Sequence, residues 1–377
     1  MDYKQRWKKI DLLGKGGQGE VYRVLDLSKF KIEPMFETVK TAIGLTQTIE
    51  IQHKQFEQFQ QVILDIGRME NPINQGALKL LHLPEAARDA ERAAERIANE
   101  IRAMSENVHP NLLRLVDVDS DSKWFVSEYY PRGSLERAHF FRGDFIGALR
   151  ALRPLVDGVA MLHGGRPWVH RDIKPHNVFV GADGRLVLGD FGLVFYRDDQ
   201  RTRISGTFEN VGTRDWMPPW AMGMRVEDVG PPFDVFGLGK LLWGMVAPGE
   251  ILQLWYYDRP QFDLEKKYPK APYIHLAKRL FSRCIVQEES QCLPDAKALL
   301  AEIDELLLMI DRGGDLFEDG AKILCRVCGR GHYEHYEGPS TQFFMDQQRA
   351  WEMHACTFCK NVQFFLKTPQ VKKHPQA

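Results

Sequence analysis

The spacing of hydrophobic and polar positions changes several times along the chain, and each change marks an expected element. Ile10 to Leu25 reads as two short strands around a glycine-rich turn, LGKGGQGEVY. The stretch that follows, to about Gln75, reads as an insertion. Within it Phe56, Phe59, Ile63 and Ile66 recur at helical spacing, so Thr48 to Met69 is expected to form an amphipathic helix. Its apolar stripe would dock on the chain's own N-terminal part, on a partner or on a second copy. Pro84 to Ser105 is rich in Ala, Glu and Arg and predicts a helix, closed by His109-Pro110-Asn111. Strands then alternate with turns up to Tyr130.

A mainly helical region follows. Leu152, Leu155, Val156, Val159 and Leu162 mark one buried helix face that leads into VHRDIKPHN. Asp183-Gly184 between VFV and LVL predicts a tight hairpin. Helical patterns resume around Val235 to Val246, His275 to Cys284 and Asp295 to Ile310. The glycine-rich, acidic stretch 311–320, DRGGDLFEDG, reads as a linker to a small module over 321–367.

Composition narrows the class. The chain has 377 residues and 44% hydrophobic content, which fits one large domain with a small appendage. With 50 Lys+Arg against 51 Asp+Glu, nothing in the global charge calls for a polyanion or a membrane surface. No apolar run approaches the roughly 18 residues of a membrane span, and MDYKQRWKKIDLL lacks the apolar core of a signal peptide, so a cytoplasmic location is expected. Of six cysteines, four form two C-x-x-C pairs, Cys325 with Cys328 and Cys356 with Cys359. In a reducing compartment that pattern points to metal more than to disulfide. Cys284 and Cys292 are expected in the core.

The candidate chemistry lies in an ordered set of motifs. Leu13, Gly14, Lys15, Gly16, Gly17, Gln18, Gly19 and Val21 line a loop whose glycines let backbone N–H groups close over phosphates. Lys79, Glu100, His170-Arg171-Asp172 with Asn177, and Asp190-Phe191-Gly192 follow in order. An ammonium at Lys79 can neutralise phosphate oxygens while Glu100 pins its flexible stem. Asp190 and Asn177 offer hard oxygen ligands of the kind magnesium takes. Asp172 can then accept a hydrogen bond from an attacking hydroxyl as base.

In this order the motifs resemble those of the Hanks-type protein kinases, over roughly Trp7 to Ile310. The resemblance implies an α+β, bilobal protein kinase fold, with a small β-rich lobe, a large helical lobe and the insertion at about 26–75 between the second and third strands. It implies ATP and Mg2+ as cofactors, Glu128 and Tyr129 as the hinge that holds adenine, and Ser127 as the gatekeeper. Lys174, two positions after Asp172, resembles the serine/threonine branch, so the partners would be proteins phosphorylated on serine or threonine. Gly212-Thr213 before Trp216-Met217-Pro218 looks like the end of the activation segment, and Asp234 like the buried anchor of the catalytic loop. Arg171 can pair a phosphate on Thr202, Ser205 or Thr207, each of which also reads as a plain loop hydroxyl. The competing reading is a pseudokinase that binds partners without catalysis, although every catalytic position is filled.

Lys40 in ETVK competes with Lys79 for the phosphate lysine. Lys79 precedes Glu100 by 21 positions and Lys40 by 60, and GALKLLHLPE reads as strand then helix start, so Lys79 is preferred. The chain departs from the family pattern at Pro218-Pro219-Trp220, where Ala-Pro-Glu is expected. The stretch matching the glutamate's arginine partner, EESQCLPDA, has no basic residue. With both charges replaced, Trp220 is expected to pack against Cys292-Leu293.

In the tail, LCRVCGRG and CTFCKNVQFF resemble the two knuckles of a zinc ribbon. Cys325, Cys328, Cys356 and Cys359 would hold a structural Zn2+, which a module this small needs for stability. His332, His335 and His354 are available as substitutes. Lys360, Lys367, Lys372 and Lys373 with Tyr333, Tyr336, Phe343 and Trp351 leave nucleic acid open as a partner, behind protein recruitment.

Overall fold

In the computed structural model, the described residues are 3, 6–16, 19–29, 74–81, 87–121, 123–164, 168–191, 195–196, 214–225, 228–312, 327, 333–335, 351–356 and 358–366. The N-terminal part is a five-stranded antiparallel sheet of β1 (Trp7–Gly16), β2 (Gly19–Asp26), β3 (Gln75–Leu81), β4 (Leu115–Val118) and β5 (Trp124–Glu128), in the order β1-β2-β3-β5-β4. Alternation along the strands sends Trp7, Val24, Leu78, Trp124 and Val126 into one apolar cluster. Lys79, one step along from Leu78, takes the opposite face. Gly76 allows the close approach of β3 to β5, because a Cβ there would lie 2.5 Å from Val126 Cγ1. Helix α1 (Ala87–Glu106) follows β3 and carries buried Ile97, Glu100, Ala103 and Met104.

The second part is helical. α2 (Phe145–His163) starts where Asp144 accepts the Gly147 N–H at 2.9 Å, and it buries the face that the periodicity marked. α2 packs along α5 (Ala296–Arg312), with Arg153 Nη2 donating to Asp304 Oδ2 at 2.9 Å. α3 (Pro232–Val246) is almost wholly buried, as its predominantly apolar composition requires. α4 (Ala277–Cys284) completes this core. Short strands β6 (Trp168–Val169), β7 (Val178–Val180), β8 (Leu186–Leu188) and β9 (Phe195–Tyr196) sit between α2 and α3. β7 and β8 form the expected hairpin, with Gly184 at φ 85° in its turn.

α5 continues through Arg312, two residues into the stretch read as linker, with Asp311 held by Arg150 at 2.5 Å. The tail holds a three-stranded antiparallel sheet of β10 (Tyr333–His335), β11 (Trp351–Cys356) and β12 (Val362–Leu366), and the apolar run after Cys359 is β12. The expected 48–69 helix lies outside the described residues, as do Lys40, Cys325, Cys328, His332, Thr202, Ser205 and Thr207. Among the described residues no helix is long and apolar enough to cross a membrane.

Two side-chain expectations meet the structure directly. Cys284 and Cys292 are buried, and burial pushes the Cys292 thiol up to about 12, which leaves it unreactive. Trp220 is half-buried, edge-on to the Phe236 ring of α3 at 5.5 Å, and packs against the apolar cluster to which Cys292 and Leu293 of the expected segment belong. The turn Pro219–Ala221 lays the indole against α3.

Candidate active site

Strand β3 and helix α1 bring Lys79 and Glu100 together. The Lys79 Nζ donates to Glu100 Oε2 at 2.7 Å and Oε1 at 2.9 Å, and lies 3.7 Å from Asp190 Oδ1. Burial works against the charge on this amine, but the Glu100 and Asp190 carboxylates outweigh it and raise the Lys79 pKa. The 2.7 Å contact has the geometry of a buried ion pair, and Lys79 lies above the Phe125 ring at 5.7 Å.

The register of the sheet sets the glycine loop over this lysine. Val21 pairs with Lys79, and Gly16 pairs with Gly19 across the turn that holds Gly17 and Gln18, both outside the described residues. Leu13 and Gly14 are exposed, and Lys15 reaches Glu20 at 3.1 Å. At the other edge Ser127 is buried, and Glu128 ends β5, where it accepts from Tyr130 Oη at 2.9 Å. Arg23 sits over the Tyr129 ring at 5.8 Å.

Asp172 lies in the loop after β6. Its carboxylate accepts from Lys174 Nζ at 2.8 Å and Asn177 Nδ2 at 2.7 Å. Asn177 donates through nitrogen, so its amide oxygen is the atom available to a cation. The loop hangs from α3: Asp234 Oδ2 accepts the His170 N–H at 2.7 Å and Oδ1 the Arg171 N–H at 2.8 Å. His163 adds a third bond to Asp234 at 3.0 Å, and because its Nδ1 accepts the Ala296 N–H at 3.0 Å, the proton sits on Nε2. Burial drives the Asp234 pKa upward, yet the bonds from His163 and His170 outweigh it and leave the carboxyl below its ordinary range.

Asp190 is tied to the same loop. Gly189 N donates to Asn177 O at 2.8 Å, and Gly189 O lies 3.1 Å from His170 Nε2. Phe191 is fully buried, edge-on to the His170 ring at 5.2 Å. Direct contacts thus join Lys79, Glu100 and Asp190 in one set and Asp172, Lys174 and Asn177 in another, and Gly189, next to Asp190, bonds the second set through Asn177 O. Sequence reasoning missed His163, whose only signal is its place as the last residue of α2.

A family model described as protein kinase domain matches residues 68–299, more than half of the chain. The match begins after the glycine hairpin, which pairs with β3 in space although it is distant in sequence. Similar proteins include serine/threonine-protein kinase Aurora-1 of Arabidopsis thaliana, 30% identical over 233 residues, or 59% of this chain and 75% of the relative. Serine/threonine-protein kinase fray1 of Dictyostelium discoideum is 29% identical over 54% of this chain and 37% of its own length. Serine/threonine-protein kinase pak-1 of Caenorhabditis elegans is 28% identical over 64% of this chain and 33% of its own length.

The buried pair makes a prediction for stability. Lys79→Met should lower the unfolding free energy by about 3–5 kcal/mol, because Glu100 is left without its partner, and adding Glu100→Leu should recover most of that loss. Urea denaturation of the two single variants and the double variant measures it; additive losses would show that the two side chains are not coupled.

Proposed function

The chain belongs to the protein kinase domain family and is a protein serine/threonine kinase, and from that premise we propose how its own residues carry the reaction. The observation that supports the reading best is the carboxylate of Asp172, fixed between Lys174 and Asn177 on a loop that α3 anchors. Asp172 is the base: it accepts the proton of a serine or threonine hydroxyl on a protein substrate. Lys174 beside it neutralises charge on the phosphoryl group in transfer. Lys79, steadied by Glu100, takes the phosphates of ATP, while Leu13, Gly14, Lys15, Gly16, Gly17, Gln18, Gly19 and Val21 cover them and Glu128 and Tyr129 hold the base. Asp190 and Asn177 are the residues that would hold Mg2+, which when bound neutralises phosphate oxygens. The donor set fits such an ion: a half-exposed carboxylate and an amide oxygen, both hard ligands.

For the tail we read a zinc ribbon over 321–367, joined to the kinase domain at 7–310. The turn after β11 supports it. Cys356 Sγ accepts N–H bonds from Phe358 at 3.3 Å and Cys359 at 3.4 Å, and Lys360 follows at φ 61°. Hydrogen bonds of this kind hold a metal-ligating side chain in place. Cys325 and Cys328 would complete the set, and the module would serve recruitment of a protein partner.

With ATP, magnesium and casein, the protein should label serine or threonine, and Asp172→Asn should lower the rate by at least about 10²-fold. Lys79→Met should do the same while Lys40→Met leaves the rate within about twofold; the reverse order would transfer the phosphate role to Lys40. Elemental analysis of protein purified without chelator should find one zinc per chain, lost in Cys356→Ser. Metal-free wild-type protein would reduce the tail to thiols.

A further inference from the structure

Helix α3 carries two charged residues, Asp234 and, six positions on, Lys240; its other residues are apolar or glycine. Both are buried, Asp234 at 0% and Lys240 at 2% exposure. The anion takes two backbone N–H groups of the catalytic loop. The cation takes a backbone carbonyl: Lys240 Nζ donates to Asp215 O, in the turn Arg214–Trp216. The ammonium lies 5.5 Å from the Phe236 ring and 5.9 Å from the Trp216 ring.

Phe236 and Lys240 are four residues apart and so share one face of α3. Phe236 meets the Trp220 ring, and Lys240 meets Asp215. The segment 214–220 therefore lies along that face, fastened by both contacts. Asp234 and Lys240 are about 9 Å apart along the helix axis at 1.5 Å per residue, so this segment and the loop that carries Asp172 are held by neighbouring turns of one rigid element. A protein that presents a hydroxyl to Asp172 must lie against whatever borders that loop.

We propose that Lys240 is a positioning residue: it holds the 214–220 segment in register with the catalytic loop and so sets the surface that receives the protein acceptor. The proposal rests on the kinase reading. Burying an ammonium is costly unless it is hydrogen-bonded, so the carbonyl contact is what keeps the charge in place. Burial pushes the Lys240 amine down to about 8, against the opposing pull of the Asp215 carboxylate. Asp215, on the turn, is the charged group facing the amine among the described residues; Asp234, on the same helix, is engaged by His163 and the loop. The proton that strengthens the Asp215 contact is therefore lost in a mildly alkaline range.

The test uses the full chain with dephosphorylated casein as acceptor, from about pH 6.5 to 9, a span that brackets the shifted amine. In wild type the KM for casein should rise about threefold or more through pH 8 while the KM for ATP stays flat. Lys240→Arg, which stays charged, should lack that rise. Lys240→Met should raise the casein KM about tenfold at every pH and leave acceptor-independent ATP hydrolysis within about twofold. A casein KM independent of pH in wild type, or equal changes in both KM values, overturns the role of Lys240. If Lys240→Met does not fold, the wild-type and Lys240→Arg profiles decide alone. Absence of any transfer by wild type, to casein or to itself, overturns the kinase reading and the proposal with it.

Discussion

One buried carboxylate organises the active site. The loop after β6 has no ladder of its own at His170 and Arg171, and Asp234 supplies the acceptors that a neighbouring strand would otherwise provide. Arg171 lies at φ 67°, in the left-handed region that costs a non-glycine residue about 1–3 kcal/mol. Such a conformation persists where its surroundings over-determine it, and here a charged acceptor within 2.8 Å of the same residue's N–H does so. His163 in turn orients the carboxylate and links it to the start of α5 through Ala296.

From that anchor the geometry passes to the two carboxylates proposed to carry the reaction. Asp172 follows Arg171 directly, and Lys174 and Asn177 lock its side chain. Asp190, also at positive φ (59°), is placed by Gly189, which bonds both Asn177 and His170, and by Phe191 packed into the core. The other half of the site comes from the N-terminal sheet, where Lys79 and Glu100 form a buried pair that reaches Asp190 across 3.7 Å. Asp190 is thus fixed by the helical part and faces a cation fixed by the sheet. Its charge interaction with Lys79 links the sheet to the helical part.

Residues whose chemistry requires a specific type at a specific order were legible in the sequence. The pairing of Lys79 with Glu100 could be anticipated because a strand-then-helix pattern separates them, and the buried face of α2 and the helix α5 followed from periodicity. What could not be read depends on contacts distant in sequence. His163 looks like any helix-terminal histidine until the structure brings it to Asp234, 71 positions away. Lys240 breaks an apolar pattern, which flags a charge in the core but not its acceptor, Asp215 O. The Trp220 ring contact with Phe236 on α3 could not be read from the missing ion pair, because it joins positions that no motif relates.

The account turns on Asp234 holding the loop rather than merely filling space, and Asp234→Asn tests that most directly. The amide keeps the volume but turns one acceptor into a donor that faces an N–H group, so phosphoryl transfer should fall by about 10²-fold or more, with ATP still bound. Transfer at the wild-type rate by a folded Asp234→Asn protein would contradict the claim that this carboxylate sets the catalytic loop.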